Sequence, residues 1–394
     1  MQKGGYQDGE LRAALGGLCA LLTGLGLARF AYTPLLPALI EAGWLDAPAA
    51  AYLGATNFAG YLAGALAARR LGVLLPTPLL LRATMLATTA SLLACALPLG
   101  FWWMVPWRTL AGFTGAVLTV VAAPAALARV AGERRARAAG IVFTGAGIGM
   151  VGSGTLVPVL VAQGGVTLSW LGIGAAAGLL TLLSWRNWSP SPLRGTAPAA
   201  TTRIPDPPTL RAIGIYALAA LGLVPHMVFL VDYAARGLDQ GLAAGSAYWV
   251  LFGAGAAMGP FLAGRLADRV GFARALQAGV ALQVVAAILP VLAPGTLTLV
   301  VSSLAMGIMT PGSGALVLGR MGELRGPEGQ AAGWGVATTS FAVFQAAGAY
   351  AMSWLYAATD SYAPLFLAAT AALVLGLALS LVDGPRRREV SRPS

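Results

Sequence analysis

The sequence predicts an all-α membrane protein of twelve transmembrane helices in two six-helix bundles, with both termini in the cytoplasm. Three observations carry that expectation: composition, the spacing of apolar stretches, and the placement of basic residues. Of 394 residues, 58% are hydrophobic and 10% charged, with 52 glycines and a mean hydropathy of +0.76. A soluble domain has about 45–50% apolar residues and about 25% charged ones. A soluble globular protein is therefore excluded, and so is a disordered chain, which would be poor in apolar residues and rich in charge. At about 20 apolar residues per span, the chain has room for roughly a dozen spans.

Apolar stretches lie near 12–40, 48–68, 76–99, 101–128, 138–163, 166–185, 210–231, 242–264, 272–293, 296–318, 330–357 and 362–382. Each is long enough to cross as a helix, and none alternates strictly as a membrane barrel strand would. The first is too long for a cleaved leader and is expected to stay in the membrane; it carries Arg29, with Pro34 and Pro37 just beyond. The second holds Asn57 and Tyr61, and the fourth has Arg108 about two turns in from its exported end. The fifth is dense in small residues from Gly145 to Gly154, which permits close helix approach. The seventh contains Pro225, the only histidine, His226, and then Asp232 and Tyr233. Trp249 falls in the eighth, and Gln345 and Tyr350 in the eleventh. Between the sixth and seventh, Ser189–Ala200 and Thr201–Pro208 form a Pro-, Thr- and Ser-rich interruption. The expected organisation is an N-terminal bundle over 1–186, a cytoplasmic linker over 187–209, and a C-terminal bundle over 210–394 ending in a short basic tail.

Basic residues test this map, because short cytoplasmic connections collect Lys and Arg. With the N-terminus inside, 22 of the 25 basic residues fall on cytoplasmic segments, from Lys3 and Arg12 through Arg69, Arg70, Arg134 and Arg269 to Arg392. Only Arg236 lies on the exported side, with Glu41, Asp46, Asp239 and Asp360; Arg29 and Arg108 remain inside spans. The net charge of +11 is then explained by topology and anionic headgroups, with no nucleic acid as partner. Cys19 and Cys95 lie within spans and read as small buried hydrophobes; no metal-ligand spacing and no cofactor motif occurs.

The two halves resemble each other. At an offset of 200, Gly60–Arg69 lies over Pro260–Arg269 with six of ten residues identical, each at the cytoplasmic end of the second span of its half. The segment Gly264-Arg265-Leu266-Ala267-Asp268-Arg269-Val270-Gly271, with Arg274 after it, resembles the loop signature of the major facilitator superfamily. Arg108 through Gly112 to Ala116 resembles that superfamily's Arg-x-x-x-Gly-x-x-x-Ala pattern, and Gly24–Pro37 is similar to the first helix of its YbfB/YjiJ-type bacterial branch. The resemblance implies the major facilitator fold in a bacterial inner (plasma) membrane, a monomer embedded in the lipid bilayer. It also implies a cytoplasmic latch of Gly264, Asp268, Arg269 and Arg274. In that latch Asp268 would cap the helix starting near Gln330, and the arginines would pair with Glu323 or Glu328. In the first half the Asp position is Ala68, so the latch is expected to be asymmetric.

Charged groups inside a membrane are costly, roughly 2.5–3.5 kcal/mol for a mid-span Arg, and default to functional hypotheses. Arg29 has Tyr32 and Thr33 on its own helix face. By the resemblance, the first and fourth helices line a central cavity, so Arg29 and Arg108 would present positive charge to it, with Tyr32, Asn57 and Gln345 completing a small-molecule site. Arg108 fits equally a role bonding carbonyls across helices, and Asn57 one as helix–helix glue. A histidine changes charge near neutral pH, making His226, with Asp232, the expected proton-coupling site; a histidine simply bonded at a helix interface fits as well. His226 and Tyr233 are expected to share a face, with Asp232 offset by about a third of a turn.

Enzyme classes lack their machinery. Lys3 is the only lysine, so no Walker A site exists, and there is no His-Glu-x-x-His, Gly-x-Ser-x-Gly or paired intramembrane carboxylate. Gly145–Gly154 resembles the antiporter signature of drug exporters, but Met150 stands where that signature wants Pro. The expected function is secondary transport of a small organic anion, proton-coupled, by alternating access. The alternative is proton-driven export of amphipathic or multidrug compounds, which would bind on aromatic and Met surfaces and survive loss of Arg29. A non-transporting sensor is a third.

Overall fold

A computed structural model describes residues 8–188 and 206–382; Lys3, Arg194, Arg203, most of the linker and the basic tail from Arg386 lie outside the described residues. Among the described residues every regular element is helical. The rods are α1 (Gly9–Glu41), α2 (Ala47–Leu74), α3 (Thr77–Ala94), α4 (Phe101–Leu127) and α5 (Gly132–Ser184). They continue with α6 (Pro207–Gly237), α7 (Gly241–Val270), α8 (Phe272–Leu292), α9 (Thr296–Thr359) and α10 (Ala363–Leu381). Among the described residues, nine helices are long and apolar enough to cross a membrane. Two rods are broken where glycine leaves helical geometry, α5 at Gly164–Gly165 and α9 at Gly326, where φ is +67°. Helix starts obey local chemistry: Asp46 caps α2 by accepting from the Ala49 N–H at 2.7 Å, with a proline in the first turn.

The first helix of each half departs from α geometry in the same region. In α1 the residues Leu22–Phe30 wind as a wide i→i+5 helix before α geometry resumes at Tyr32; in α6 the same occurs over Pro225–Phe229 and again over Tyr233–Gly237. Such turns are uncommon and concentrate at functional sites. Pro34 adds to the loosening in α1, because it has no N–H to return to the ladder. A second feature also occurs in both halves. A Cβ at Gly112 of α4 would lie 2.0 Å from the Asn57 carbonyl oxygen of α2, and one at Gly307 of α9 would lie 2.1 Å from that of Phe252 in α7. Both approaches are backbone to backbone, which only glycine permits.

The distribution of the core shows how the halves meet. One continuous hydrophobic cluster joins Leu35, Leu53 and Trp170 of the first half to Phe229, Trp249 and Phe366 of the second, at the end where the chain turns at Gly43, Gly165 and Asp360. Toward the opposite end, which carries the basic loops, there are separate cores. One holds Leu21, Leu81 and Leu118 of the first half, another Tyr216, Leu276 and Met321 of the second. The molecule is closed across its middle at one end and divided at the other.

Candidate functional site

Just inside the closed end, α1 crosses α6 and α2 faces α9. Thr33 Oγ1 donates to the Met227 carbonyl at 2.5 Å, Trp249 Nε1 to Ser153 Oγ at 3.3 Å, and Tyr52 meets Tyr350 with ring centroids 6.4 Å apart. A small cavity at this seam, with room for about one water molecule, is bordered by Arg29, Asn57, Phe58, Arg108, Met227 and Val228 among others.

Arg29 is 9% exposed. Its Nη2 donates to Oε1 of Gln345, on α9, while Gln345 Nε2 points at the Met227 sulfur at 3.3 Å. The guanidinium carbon lies 4.5 Å from the ring centres of both Phe58 and Tyr61, which are one turn apart on α2. Its Nε has no hydrogen-bond partner. Two desolvated aromatic faces at about 2 kcal/mol each and a charge-assisted hydrogen bond of about 1.5–3 kcal/mol offset an insertion cost of about 2.5–3.5 kcal/mol. The cation is thus held without a carboxylate, and one edge of its fork is half used. Tyr61 stood out in the sequence, whereas Phe58 did not, although its i,i+3 spacing from Tyr61 puts both rings on one helix face.

Arg108 is 1% exposed and differently bound. Its Nη1 donates to the Ala28 carbonyl at 2.7 Å, in the widened part of α1, and its guanidinium stacks over Tyr32 at 4.6 Å and Trp170 at 5.8 Å. Asn57 Nδ2 donates to the Arg108 carbonyl at 3.0 Å and approaches that of Ala28 at 3.4 Å; its Oδ1 is unpartnered. Tyr32 donates its hydroxyl to the Ala50 carbonyl at 2.6 Å. The close approach at Gly112 brings Asn57 to the Arg108 backbone, so the Arg-x-x-x-Gly spacing has a direct structural use. Arg29, Tyr32, Asn57, Arg108 and Gln345 are therefore brought together; Arg29 and Gln345 meet across the seam, and Arg108, Asn57 and Tyr32 tie α1, α2 and α4 into one unit.

His226 and Asp232 are fully buried but face different neighbours. His226 Nε2 lies 2.8 Å from Ser302 Oγ, which itself donates to the Ala286 carbonyl at 2.6 Å, so the histidine must be the donor and carries its proton on Nε2. Its Nδ1 is unpartnered, and its ring packs edge-on to Phe366 at 5.4 Å. Tyr233 packs on the same Phe366 at 5.2 Å, as expected for residues sharing a face. Asp232 instead accepts from the Tyr362 hydroxyl at 2.7 Å and lies 3.5 Å from Arg236 Nε. Tyr356 joins this group, donating to Tyr362 at 3.3 Å and accepting from Arg236 at 3.5 Å. Burial first, then the Asp232 carboxylate beside it, push the Tyr362 hydroxyl far above its ordinary range, which keeps it a donor. Tyr362, Tyr356 and Ser302 were not legible as site residues, since hydroxyls are common in such helices.

The loop residues Gly264, Asp268, Arg269 and Arg274 lie at the divided end. The pairings expected for them are absent among the described side chains. Glu323 is taken by Arg320 at 2.8 Å and accepts from the Phe272 N–H at 3.4 Å, while Gln330 donates to the Leu318 carbonyl at 3.0 Å. The side chain of Glu328 lies outside the described residues. A Cβ at Gly264 would meet nothing within 4 Å, in keeping with halves that stand apart here. In the first half Glu10 accepts from both Arg134 and the Ala131 N–H, each at 3.0 Å, just before α5 begins.

The family described as "Uncharacterised MFS-type transporter YbfB" matches residues 21–381. No curated protein matches the chain significantly. Among solved structures, the chain is similar to a bacterial homologue of the human lysosomal transporter Spinster. The TM-score is 0.73 for that protein's inward-facing, unoccupied conformation and 0.71 for its inward-facing, occupied conformation. In both cases identity is 16%, over 96% of this chain and 97% of the other. At that identity the likeness establishes the fold alone, which is the major facilitator fold.

Proposed function

The chain belongs to the YbfB family of major facilitator transporters, and from that premise we propose that it carries a small organic anion across the bacterial inner membrane, driven by protons. The observation that carries this reading is Arg29, a buried cation at the seam whose hydrogen-bond partner is the neutral amide of Gln345 and which has no carboxylate partner among the described residues. An anion would replace that amide, and rocking of one half against the other would then move the site from one side to the other.

The proposed topology has twelve crossings. To the nine apolar spans it adds Ala47–Leu74, a second crossing in α5 beyond Gly164–Gly165, and one in α9 beyond Gly326. The two bundles are assigned to 1–186 and 210–394, joined by 187–209, a division that the separate cores support. The end with the basic loops is assigned to the cytoplasm, so the divided end faces inward and the latch residues Asp268, Arg269 and Arg274 are in their released state. Arg29 contacts the anion, Gln345 guards it, and Arg108, Asn57 and Tyr32 hold α1 in position. Proton coupling is assigned to Asp232, whose partners Tyr362 and Arg236 lie at the closed end; His226, donating to Ser302, is assigned a packing role. The protein acts as a monomer.

The test is uptake of carboxylates into proteoliposomes under an imposed proton gradient, with Arg29→Ala beside the wild type. Flux that depends on Arg29 is expected. Flux of lipophilic cations that is unchanged in Arg29→Ala would sink the anion reading in favour of amphipathic export.

A further inference from the structure

We infer that Gln345 is a built-in competitor of the transported anion. It takes the anion's place on Arg29 as the exported end closes, so the anion binds more tightly from the exported face and is displaced toward the cytoplasm, which equips the protein for uptake. This rests on the anion reading and the inward-facing assignment above.

The inference follows from which half holds each partner. The Arg29 guanidinium touches its own half through rings, its carbon lying 4.5 Å from the centres of Phe58 and Tyr61 and 5.7 Å from that of Phe30. Among the described residues its one hydrogen bond runs to the other half, from Nη2 to Gln345 Oε1. Gln345 is held in turn by the second half: its Nε2 meets the Met227 sulfur at 3.3 Å, which leaves Oε1 for the bond across the seam. Each side chain therefore moves with its own half. When the halves part at the exported end, Gln345 leaves with α9 and Met227, and Arg29 stays on the α2 rings with Nε–H and Nη2–H both free. Those two donors form one edge of the guanidinium, the fork that a carboxylate accepts from best.

Closing reverses this. The amide oxygen returns to Nη2, and of that edge the anion keeps Nε–H alone, the donor without a partner in this structure. An anion arriving from the cytoplasm meets a cation 9% exposed and an amide 3% exposed, already bonded to each other, and must break their bond to bind. A ligand that breaks such a bond in one state and not in the other has different affinities for the two states. The asymmetry belongs to the site itself and persists with equal pH on both sides of the membrane.

The experiment measures initial rates of entry of radiolabelled lactate, succinate, 4-hydroxybenzoate and inorganic phosphate into right-side-out and inside-out membrane vesicles from cells producing the full-length protein. The pH is equal on both sides, and the rate with Arg29→Ala is subtracted. For each anion carried, half-saturation from the exported face is expected at a concentration roughly tenfold or more below that from the cytoplasmic face, the factor that one hydrogen bond to a charged group supplies. Gln345→Met keeps the bulk of the side chain without the amide oxygen. It is expected to lower the cytoplasmic-face value by roughly the same factor while the exported-face value stays close to wild type, and Gln345→Ala is expected to do the same. Equal half-saturation at the two faces of the wild type, tighter binding from the cytoplasmic face, or an asymmetry that survives in both Gln345 variants would overturn the competitor role and leave the anion reading standing. No Arg29-dependent entry of any of the four anions from either face would overturn both.

Discussion

The guanidinium of Arg29 donates to the side-chain amide of Gln345, a residue 316 positions away and in the other half of the chain. The bond ties the halves together only while they are closed at this end. Its two partners respond differently to substitution, because Arg29 has two aromatic faces to rest on and Gln345 has only a sulfur contact besides.

Arg29→Lys keeps the charge and the cation–π contacts but loses the planar fork. Anion affinity measured by thermal shift is expected to fall at least tenfold, with the unliganded melting temperature close to wild type. Unchanged affinity in Arg29→Lys would remove the fork from the site.

Arg108 is expected to show the opposite pattern. Arg108→Met removes the bond to the Ala28 carbonyl, whose other side-chain contact is the 3.4 Å one from Asn57. A loss of about 1.5–3 kcal/mol is expected for a hydrogen bond to a charged group, read as a lower melting temperature, with anion affinity of the folded fraction within twofold of wild type. A tenfold loss of affinity would instead place Arg108 in contact with the substrate.

Much of this was legible because membranes restrict the choices. The apolar stretches at 101–128 and 272–293 match helices Phe101–Leu127 and Phe272–Leu292 closely, since length and hydropathy alone define them. The Gly-Gly pair at 164–165 marks a break for the same reason that glycine marks any turn. Arg29 and Arg108 stood out as the two basic residues that orientation leaves unexplained, yet their different fates did not, because both depend on partners in other helices. The widened turns were also hidden. Helical-wheel arithmetic assumes 3.6 residues per turn, and α6 winds wide twice, over Pro225–Phe229 and Tyr233–Gly237. His226 points to Ser302 and Asp232 to Tyr362, partners on other helices that the spacing along α6 does not reveal.

The glycine run of α5 makes a local prediction with its own control. A Cβ at Gly149 would sit 2.0 Å from the Gly26 Cα, whereas one at Gly152 meets nothing within 4 Å. Gly149→Ala is expected to force α1 and α5 apart at a cost of about 1–3 kcal/mol or more, lowering the melting temperature and the yield of folded protein. Gly152→Ala should match wild type. Equal behaviour of the two variants would contradict backbone contact between α1 and α5.

Asp232 and His226 can be separated by the pH dependence of transport. Asp232 faces a phenol that stays protonated and an arginine at 3.5 Å, so gain or loss of its proton changes the charge of a group that anchors α6 to the residues around Tyr356 and Tyr362. His226 has one nitrogen donating to Ser302, and the other would have no acceptor for the N–H that a second proton would create there, so the neutral ring is the form the site accommodates. Asp232→Asn retains the hydrogen bond to Tyr362 while removing the exchangeable proton, and is expected to exchange substrate across the membrane without responding to a proton gradient. His226→Gln can still donate to Ser302 and is expected to keep the wild-type response to the gradient. The reverse outcome, gradient-driven accumulation in Asp232→Asn and its loss in His226→Gln, would move the coupling site from Asp232 to the histidine.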